Sequence, residues 1–190
     1  MLTFARKIFF IMTVKSIFIA DGSFIARTGL KMIIKEMKNF RLSGEAGTLE
    51  EFNKNILIAK PDVLIIDHTS ADFSSAVIAL TNKILPGTGI LAVTHGESKE
   101  TLTGTMNAGV TGYVLKECCK QEIEDAIIAV SKREKFFCGK ILETLLIQCT
   151  SPHLHCKKIT GSCEPLKITD REMEIIRHIA DGYTNKEIAD

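Results

Sequence analysis

The 190-residue sequence contains no long hydrophobic run. The longest run near its start, Ile8–Met12, has five residues. A secretory signal needs a core of about 7 to 15 apolar residues, and a membrane-spanning helix needs about 20. We therefore expect a cytoplasmic protein that is neither exported nor embedded in a membrane.

The sequence also lacks an excess of charge of either sign. Its 24 Lys and Arg residues face 23 Asp and Glu residues, which gives a net charge of +1. The chain as a whole therefore has no basic signature of a nucleic-acid-binding or membrane-binding surface. Internal repeats and low-complexity tracts are missing, and an apolar content of 45% is enough for a folded core. These features exclude a disordered or fibrous chain.

Paired cysteine motifs are missing as well. A chain of this length does not need disulfide staples, so we expect its six cysteines to be reduced thiols. One stretch collects sulfur and imidazole ligands without the paired spacing of a zinc site, and we interpret these residues as ordinary linker side chains: Cys149, His153, His155, Cys156 and Cys163.

Short apolar runs alternate with amphipathic stretches over residues 14–132. The apolar runs are rich in Ile, Val, Leu and Phe, as is typical of strands buried on both faces. The predicted strands are Ser16–Ala20, Phe40–Ala46, Asp62–Asp67, Gly89–Thr94 and Gly112–Leu115, and the predicted helices are Phe24–Lys38, Leu49–Ala59, Phe73–Ile84, Lys99–Ala108 and Lys120–Lys132. Strands connected through helices are parallel with right-handed crossovers. The pattern therefore predicts an α/β fold with a (βα)5 doubly wound parallel sheet.

Polar residues stand at the ends of four of these strands. Asp21 and Asp67 follow the first and third strands, Thr94 ends the fourth, and Lys116 follows the fifth. The carboxyl ends of parallel strands meet at one rim of the sheet, where ligands bind. Two carboxylates, a hydroxyl and an ammonium group suit a divalent cation and a phosphoryl group, with an aspartate as the nucleophile. A polar residue commonly ends a single strand, but four at one rim indicate a functional site.

The residues around these positions resemble a known family, the response regulators of two-component signalling. The similarity is to the NarL/FixJ-like subfamily, which joins a flavodoxin-like receiver domain to a LuxR-type helix-turn-helix. It rests on the motifs IADGSFIARTGL (Ile19–Leu30), PDVLIID (Pro61–Asp67), AVTHG (Ala92–Gly96) and AGVTGYVLKE (Ala108–Glu117).

The resemblance implies a role for each rim residue. Asp67 is implied to be the phospho-acceptor, and Lys116 is the cation that contacts the phosphoryl group. Asp21, Asp67 and the backbone carbonyl of Thr69 are the implied ligands of Mg²⁺.

The resemblance also implies a switch and its partners. Thr94 is the hydroxyl that reports phosphorylation, and Tyr113 is its implied switch partner. A sensor histidine kinase is the implied phosphoryl donor, DNA is the implied target of the complete protein, and a homodimer is a further implied assembly.

The sequence departs from the family pattern at two points. The family commonly has two adjacent acids after its first strand, but here Gly22 follows Asp21, so the formal charge of the site falls from −3 to −2. Mg²⁺ held by few protein oxygens is sensitive to that loss, and we predict weak binding. The loop HTSADF (His68–Phe73) lacks the Met-Pro that commonly follows the acceptor.

Composition changes after the fifth predicted helix. Residues 133–164 are rich in Ser, Gly, Pro, His and Cys and have weak periodicity. We therefore expect a receiver domain at 14–132, a linker at 133–164 and a partial all-α domain at 165–190.

The last segment has the pattern of one complete helix. Thr169 and Glu172 form a capping box, and Met173, Ile176 and Ile179 form an apolar stripe. The string ITDREMEIIRHIADGYTNKEIAD is similar to the first helix of the LuxR-type module and the start of its second. The recognition helix is absent from the sequence, so we expect this chain not to bind duplex DNA specifically, unlike the complete protein.

Three functions from different classes compete. The first is a phosphorylation-controlled, DNA-binding transcription regulator, which is a switch rather than an enzyme. The second is a receiver-like dimerisation or protein-binding module that works without phosphorylation because Gly22 replaces an acid. The third is an aspartate-nucleophile phosphohydrolase, which needs a second Asp two residues after the nucleophile, where this sequence has Thr69.

Overall fold

The computed structural model of the chain describes residues 14–146, 166–167, 169–180 and 183. The strands within these ranges are β1 (Lys15–Ala20), β2 (Phe40–Ala46), β3 (Val63–Ile66), β4 (Gly89–Thr94), β5 (Gly112–Leu115), β6 (Phe136–Phe137) and β7 (Leu166–Lys167). The helices are α1 (Phe24–Glu36), α2 (Leu49–Ala59), α3 (Ser75–Ile84), α4 (Lys99–Asn107), α5 (Lys120–Ser131), α6 (Gly139–Leu146) and α7 (Asp170–Ala180). None of these helices is long and apolar enough to cross a membrane.

The strands form one sheet in the order β2-β1-β3-β4-β5-β6-β7. Strands β1 to β6 are parallel, and β7 pairs antiparallel with β6. The strand order reverses at β1, because β2 lies on one side of it and β3 on the other. Ligands bind at such a switch point, beyond the carboxyl ends of the strands. The doubly wound parallel sheet predicted from the sequence is confirmed, and its switch point directs attention to the residues after β1 and β3.

The central strands carry the core because helices cover both faces of the sheet. Every residue of β3, β4 and β5 is buried, which explains why these strands read as continuous apolar runs in the sequence. Aromatic contacts continue the core under α2, where the rings of Phe18 and Phe52 pack edge to face with centroids 5.9 Å apart.

Two glycines allow α5 to lie close to the sheet. A Cβ atom at Gly89 would be 2.5 Å from the carbonyl oxygen of Val130, and one at Gly112 would be 2.7 Å from a Val130 methyl group. Both distances are too short for any side chain. The glycines therefore fix the approach of α5 to β4 and β5, the two strands that carry Thr94 and Lys116 at their ends.

The predicted bounds of the first five strands and helices agree with the observed ones to within two residues. Local sequence signals such as helix caps explain this agreement. The capping box of α2 forms as predicted on one side, where the Glu51 N–H donates to Thr48 Oγ1 at 3.3 Å. In the second bond of the box, the Glu51 carboxylate accepts the N–H of Gly47 at 2.8 Å instead of the N–H of Thr48.

The structure differs from the linker expected at 133–164 over its first residues. Phe136 and Phe137 form β6, and both side chains are buried. The N–H of Phe136 donates to Thr111 O at 3.3 Å, so β6 extends the sheet beyond β5. Helix α6 follows and buries Ile141 and Leu145. A two-residue strand is too short to show alternation, which is why the sequence pattern missed it.

The other C-terminal predictions have mixed outcomes. The capping box at the start of α7 is confirmed, since the N–H of Thr169 donates to Glu172 Oε2 at 2.7 Å and the N–H of Glu172 donates to Thr169 Oγ1 at 3.3 Å. Met173 is buried, and α7 packs against α6. The stretch with Cys149, His153, His155, Cys156 and Cys163 lies outside the described residues. The domain boundaries stay a prediction.

Candidate functional site

The four polar residues predicted at the strand ends meet at one rim of the sheet. Backbone hydrogen bonds extend the strand pairing past the last strand residues and so fix three of them: Asp21 N–H donates to Ala46 O at 3.1 Å, Asp67 N–H to Ala20 O at 2.9 Å and Lys116 N–H to Thr94 O at 2.7 Å. The three residues therefore follow directly on hydrogen-bonded strand ends. Such a scaffold gives the site a defined geometry.

Lys116 joins the two carboxylates. Its Nζ lies 2.6 Å from Asp67 Oδ2 and 2.8 Å from Asp21 Oδ2. The side chains are nearly inaccessible, with exposed fractions of 15% for Lys116, 5% for Asp67 and 2% for Asp21. Two carboxylates and one ammonium leave a net charge of −1 in this buried cluster, which favours the binding of a cation.

The second oxygen of Asp67 is held by the loop that follows β3. Asp67 Oδ1 accepts the N–H of Thr69 at 2.9 Å and the Thr69 hydroxyl at 2.6 Å. The Ser70 hydroxyl donates to the Asp67 carbonyl oxygen at 3.0 Å. Thr69 thus positions the acceptor carboxylate, but it has no carboxyl group to serve as the general acid of a phosphohydrolase.

Asp21 is oriented by the start of α1. Its Oδ1 accepts the N–H of Ser23 at 2.7 Å, and its carbonyl oxygen accepts a bond from Arg27 Nη1 at 2.7 Å. Its Oδ2 is buried and accepts no directed hydrogen bond, although Lys116 Nζ lies within ion-pair distance. This oxygen therefore keeps a lone pair available for another ligand.

Gly22 lies between Asp21 and Ser23 in the sequence and is exposed. A Cβ atom at this position would be 3.3 Å from the Cβ of Ser70. Position 22 therefore faces the loop after Asp67, so a side chain placed there would stand beside the acceptor.

The local environment keeps Asp67 ionised. Burial raises the pKa of its carboxyl, but the hydrogen bond from Lys116 and the two from Thr69 outweigh burial, so the pKa lies below its usual value. Burial lowers the pKa of Lys116, yet Asp21 and Asp67 together hold it above its usual value. Asp67 is thus an anion and Lys116 a cation at neutral pH, and an ionised carboxylate is the form that can act as a nucleophile.

The donor set fits a magnesium ion. Mg²⁺ prefers oxygen ligands and is usually held by one or two carboxylates and several waters. Asp21 Oδ2, the buried oxygen with a free lone pair, and the carboxylate of Asp67 meet that requirement. The ligand role predicted for the Thr69 carbonyl stays a prediction, because the contacts of Thr69 with Asp67 run through its N–H and hydroxyl.

Thr94 and Tyr113, the predicted switch pair, are in contact. Thr94 Oγ1 lies 3.0 Å from Tyr113 Oη, and the Thr94 hydroxyl donates to His95 O at 2.8 Å. A hydroxyl has one proton, so the Tyr113 hydroxyl must donate to Thr94. Tyr113 is fully buried, and burial raises its pKa to about 12.

His68 completes this network and was not identified from the sequence. Its Nε2 lies 3.0 Å from Tyr113 Oη and 3.2 Å from the Thr105 hydroxyl, which donates to Thr101 O at 2.8 Å. The protons of both hydroxyls are committed elsewhere, so His68 Nε2–H is the donor to both oxygens. Burial lowers the pKa of His68, which agrees with a neutral ring. A chain of hydrogen bonds therefore runs from the residue after Asp67 to Tyr113 and to α4.

No signal in a single sequence could identify His68. The position follows a strand that is buried on both faces, and a lone histidine there has no spacing relation to Tyr113 or Thr105. The contact depends on the packing of β5 and α4 against the loop after β3, which only the tertiary structure defines.

Comparisons with known proteins identify relatives of this chain. A scan against protein-family models found no match. The oxygen regulatory protein NreC of Staphylococcus epidermidis strain RP62A is 32% identical over 178 residues, which cover 92% of this chain and 81% of NreC. NreC of Staphylococcus haemolyticus strain JCSC1435 is 33% identical over the same shares of both chains.

Solved structures of response regulators have the same fold. The isolated receiver domain of RcsB from Salmonella enterica serovar Typhimurium, in the presence of the phosphomimetic BeF3−, matches with a TM-score of 0.63 and 19% identity, over 68% of this chain and 97% of that domain. RcsB dimers bound to DNA match with a TM-score of 0.66 and 19% identity, over 92% of this chain and 81% of RcsB. With homologues of this identity and coverage, the chain belongs to the response regulators of two-component signalling, in the NarL/LuxR group that joins a receiver domain to a helix-turn-helix.

Proposed function

We propose that this chain acts in phosphorylation-controlled transcription regulation and accepts a phosphoryl group on Asp67 from a sensor histidine kinase. The observation that carries the proposal is the position of Lys116 Nζ, 2.6 Å from Asp67 and 2.8 Å from Asp21. This arrangement offers one oriented nucleophile, one cation for the phosphoryl oxygens and one further carboxylate for a metal. The product of this phosphoryl transfer is a modified protein, so we do not propose turnover of a small-molecule substrate.

The transfer step uses the groups at the rim. A carboxylate oxygen of Asp67 attacks phosphorus, the bond between phosphorus and the donor nitrogen breaks, and an acyl phosphate forms on Asp67. Thr69 holds Oδ1 with two hydrogen bonds, so the carboxylate is already oriented before the donor arrives. Lys116 lies beside Oδ2, where it offsets the negative charge of the transferred group.

Asp21 would help to hold a metal ion beside Asp67. We propose that Asp21, Asp67 and the backbone carbonyl of Thr69 hold Mg²⁺, which when bound neutralises charge on the phosphoryl oxygens. With Gly22 in place of an acid, the site relies on two carboxylates and on water, and binding is weak.

Phosphorylation is read through Thr94 and Tyr113. A phosphoryl group on Asp67 adds negative charge and hydrogen-bond acceptors at the rim. Thr94 turns its hydroxyl toward the phosphoryl group and gives up its bond to His95 O, which changes the position of Tyr113. His68 extends this change to Thr105 on α4, so the surface formed by α4, β4 and α5 gains or loses partners.

Downstream, we propose DNA as the partner of the complete protein, as the family resemblance implies, and a second copy of the chain as a further partner. RcsB, which shares the fold, has been solved as dimers bound to DNA. In this chain, α7 has the capped start and buried Met173 expected of the first helix of a helix-turn-helix.

The first test is labelling by a small phosphodonor. The wild-type chain, Asp67→Asn and Asp72→Asn are incubated with acetyl phosphate and Mg²⁺, and their intact masses are measured. Asp72 is an exposed acid in the same loop and serves as the matched control. We expect one added phosphoryl group on wild type and Asp72→Asn and none on Asp67→Asn; equal labelling of all three would refute the assignment of the acceptor.

Gly22 favours one alternative, a receiver that dimerises or binds a protein without phosphorylation. Titration with beryllofluoride, a phosphoryl analogue, separates the two functions. If the main proposal is right, the NMR resonances of Thr94 and Tyr113 should shift as beryllofluoride saturates Asp67. Spectra that stay unchanged at saturating beryllofluoride and Mg²⁺ would favour the phosphate-independent module.

A further inference from the structure

Three side chains that could bind a metal ion meet at the start of α5. One ligand atom from each of Cys118, Glu122 and Cys138 lies within 4.8 Å of the other two. Cys138 and Glu122 are buried, with exposed fractions of 2% and 7%, and Cys118 is partly buried. None of the three takes part in the phosphorylation site.

The backbone brings these residues together from two segments. Cys118 lies in the turn after β5, where its N–H donates to Leu115 O at 3.0 Å, and Glu122 follows in the first turn of α5. Cys138 comes from the segment between β6 and α6, and its N–H donates to Tyr113 O at 3.1 Å. The pairing of β6 with β5 therefore delivers Cys138 to the start of α5.

Charge around the cluster is unbalanced. Within the described residues, no Lys, Arg or His nitrogen lies within 4.0 Å of the Glu122 carboxylate, as the ion pairs of this chain all involve other acids. The Glu122 carboxylate has the Cys118 thiol as a hydrogen-bond partner and lies in the first turn of α5, which favours an acid. A bound cation would add a full counter-charge to this buried carboxylate.

A hydrogen bond between the two thiols shifts their pKa values in opposite directions. The hydrogen bond from Cys118 and the N–H of Ile141 at the start of α6 lower the pKa of Cys138, while burial opposes them. The same contact raises the pKa of Cys118, because its proton is held between the two sulfurs.

Two sulfurs and one carboxylate oxygen select the class of ion. Thiolates bind Zn²⁺ and related transition ions and are poor ligands for Mg²⁺ or Ca²⁺. With Zn–S bonds of about 2.3 Å in a tetrahedron, two sulfur ligands lie about 3.8 Å apart, which is about 1 Å less than the upper limit of the observed spacing. Small side-chain movements are enough to close the site.

We propose that Cys118, Glu122 and Cys138 form a binding site for a thiophilic divalent cation, for which Zn²⁺ is the probe, with a fourth position open to water. Binding of one ion displaces the thiol protons of Cys118 and Cys138 to solvent. The ion would clamp the turn that follows Lys116 to the start of α6. This inference does not depend on phosphorylation of Asp67.

The test uses the full chain in its reduced state. Zn²⁺ binding is measured by competition with a chromophoric chelator, and Co²⁺ is added separately to detect thiolate-to-cobalt charge-transfer absorption. The variants are Cys118→Ser, Cys138→Ser and Glu122→Gln, and Cys119→Ser is the matched control because Cys119 is exposed, adjacent and outside the cluster. Loss of a group that only orients a metal ligand already costs about 10- to 100-fold in metal affinity, so loss of either thiol should weaken binding by about 100-fold or more.

Two outcomes would overturn the proposal. One is binding that Cys118→Ser and Cys138→Ser leave unchanged, which would place the ion at other cysteines. The other is a reduced wild-type chain that binds no Zn²⁺. If the serine variants fail to fold, alkylation of the wild-type chain decides, since bound Zn²⁺ should protect Cys118 and Cys138 but leave Cys119 reactive.

Discussion

Restoring the missing acid at Gly22 should strengthen Mg²⁺ binding. The change requires a small shift of the neighbouring loop, because a Cβ atom at position 22 would be 3.3 Å from the Cβ and 3.5 Å from the Oγ of Ser70. Ser70 lies in a loop and needs to move by only a few tenths of an ångström. The backbone of Gly22 is not in the left-handed region, so Gly22→Asp introduces no strain there.

The size of the effect follows from the added charge. Two unit charges about 4 Å apart interact by about 1 kcal/mol in water and about 4 kcal/mol at an effective dielectric constant of about 20. A divalent ion doubles these values, and the exposure of position 22 favours the lower end, about 2 kcal/mol. At about 1.4 kcal/mol for each tenfold change, the Kd should fall roughly thirtyfold, within a range of about 10- to 100-fold.

The assay is a calorimetric Mg²⁺ titration of wild type, Gly22→Asp and Gly22→Asn. The Asn variant has the size of Asp without its charge and controls for the shift of Ser70. We expect tighter binding for Gly22→Asp alone. If all three chains bind equally, Ser23 or water already replaces the missing acid and the charge argument is wrong.

Three further predictions concern stability and are tested by urea unfolding. Lys116→Met removes the cation between two buried carboxylates and should cost about 3 to 5 kcal/mol at neutral pH, with a smaller loss at acidic pH as the carboxylates take up protons; a loss independent of pH would contradict the ion-pair geometry. Burial raises the pKa of Tyr113 to about 12, above the unfolded value of about 10. The stabilisation from this pKa difference is complete below about pH 10 and is lost as the pH rises toward about 12. Tyr113→Phe should lack that loss. Gly89→Ala places a methyl group against the Val130 carbonyl and should cost about 1 to 3 kcal/mol, whereas Gly87→Ala, which meets open space, should not.

Much of the fold and the rim could be predicted because the signals were local. Buried parallel strands are continuous apolar runs, and the residue after each run necessarily lies at the carboxyl rim, so Asp21, Asp67, Thr94 and Lys116 could be placed from the sequence alone. Their contacts then follow from the strand order, which the right-handed crossovers restrict.

Features that depend on contacts between distant segments could not be predicted. β6 has two residues, Phe136 and Phe137, and is defined by its pairing with β5 and β7. The contacts of His68 with Tyr113 and of Cys118 with Cys138 join positions with no fixed spacing in the sequence. Such contacts carry no periodic signal and appear only once the sheet has formed.

The most direct test of the central claim is the location of the phosphoryl group in the wild-type chain. After reaction with acetyl phosphate and Mg²⁺, borohydride reduction converts an aspartyl phosphate to homoserine, which tandem mass spectrometry locates in the peptide. Among the residues that the structure describes, Asp67 is the only carboxylate that Lys116 and Thr69 hold together, so homoserine should appear at position 67 alone. Homoserine at Asp21 or at Asp72, with Asp67 unmodified, would contradict the account.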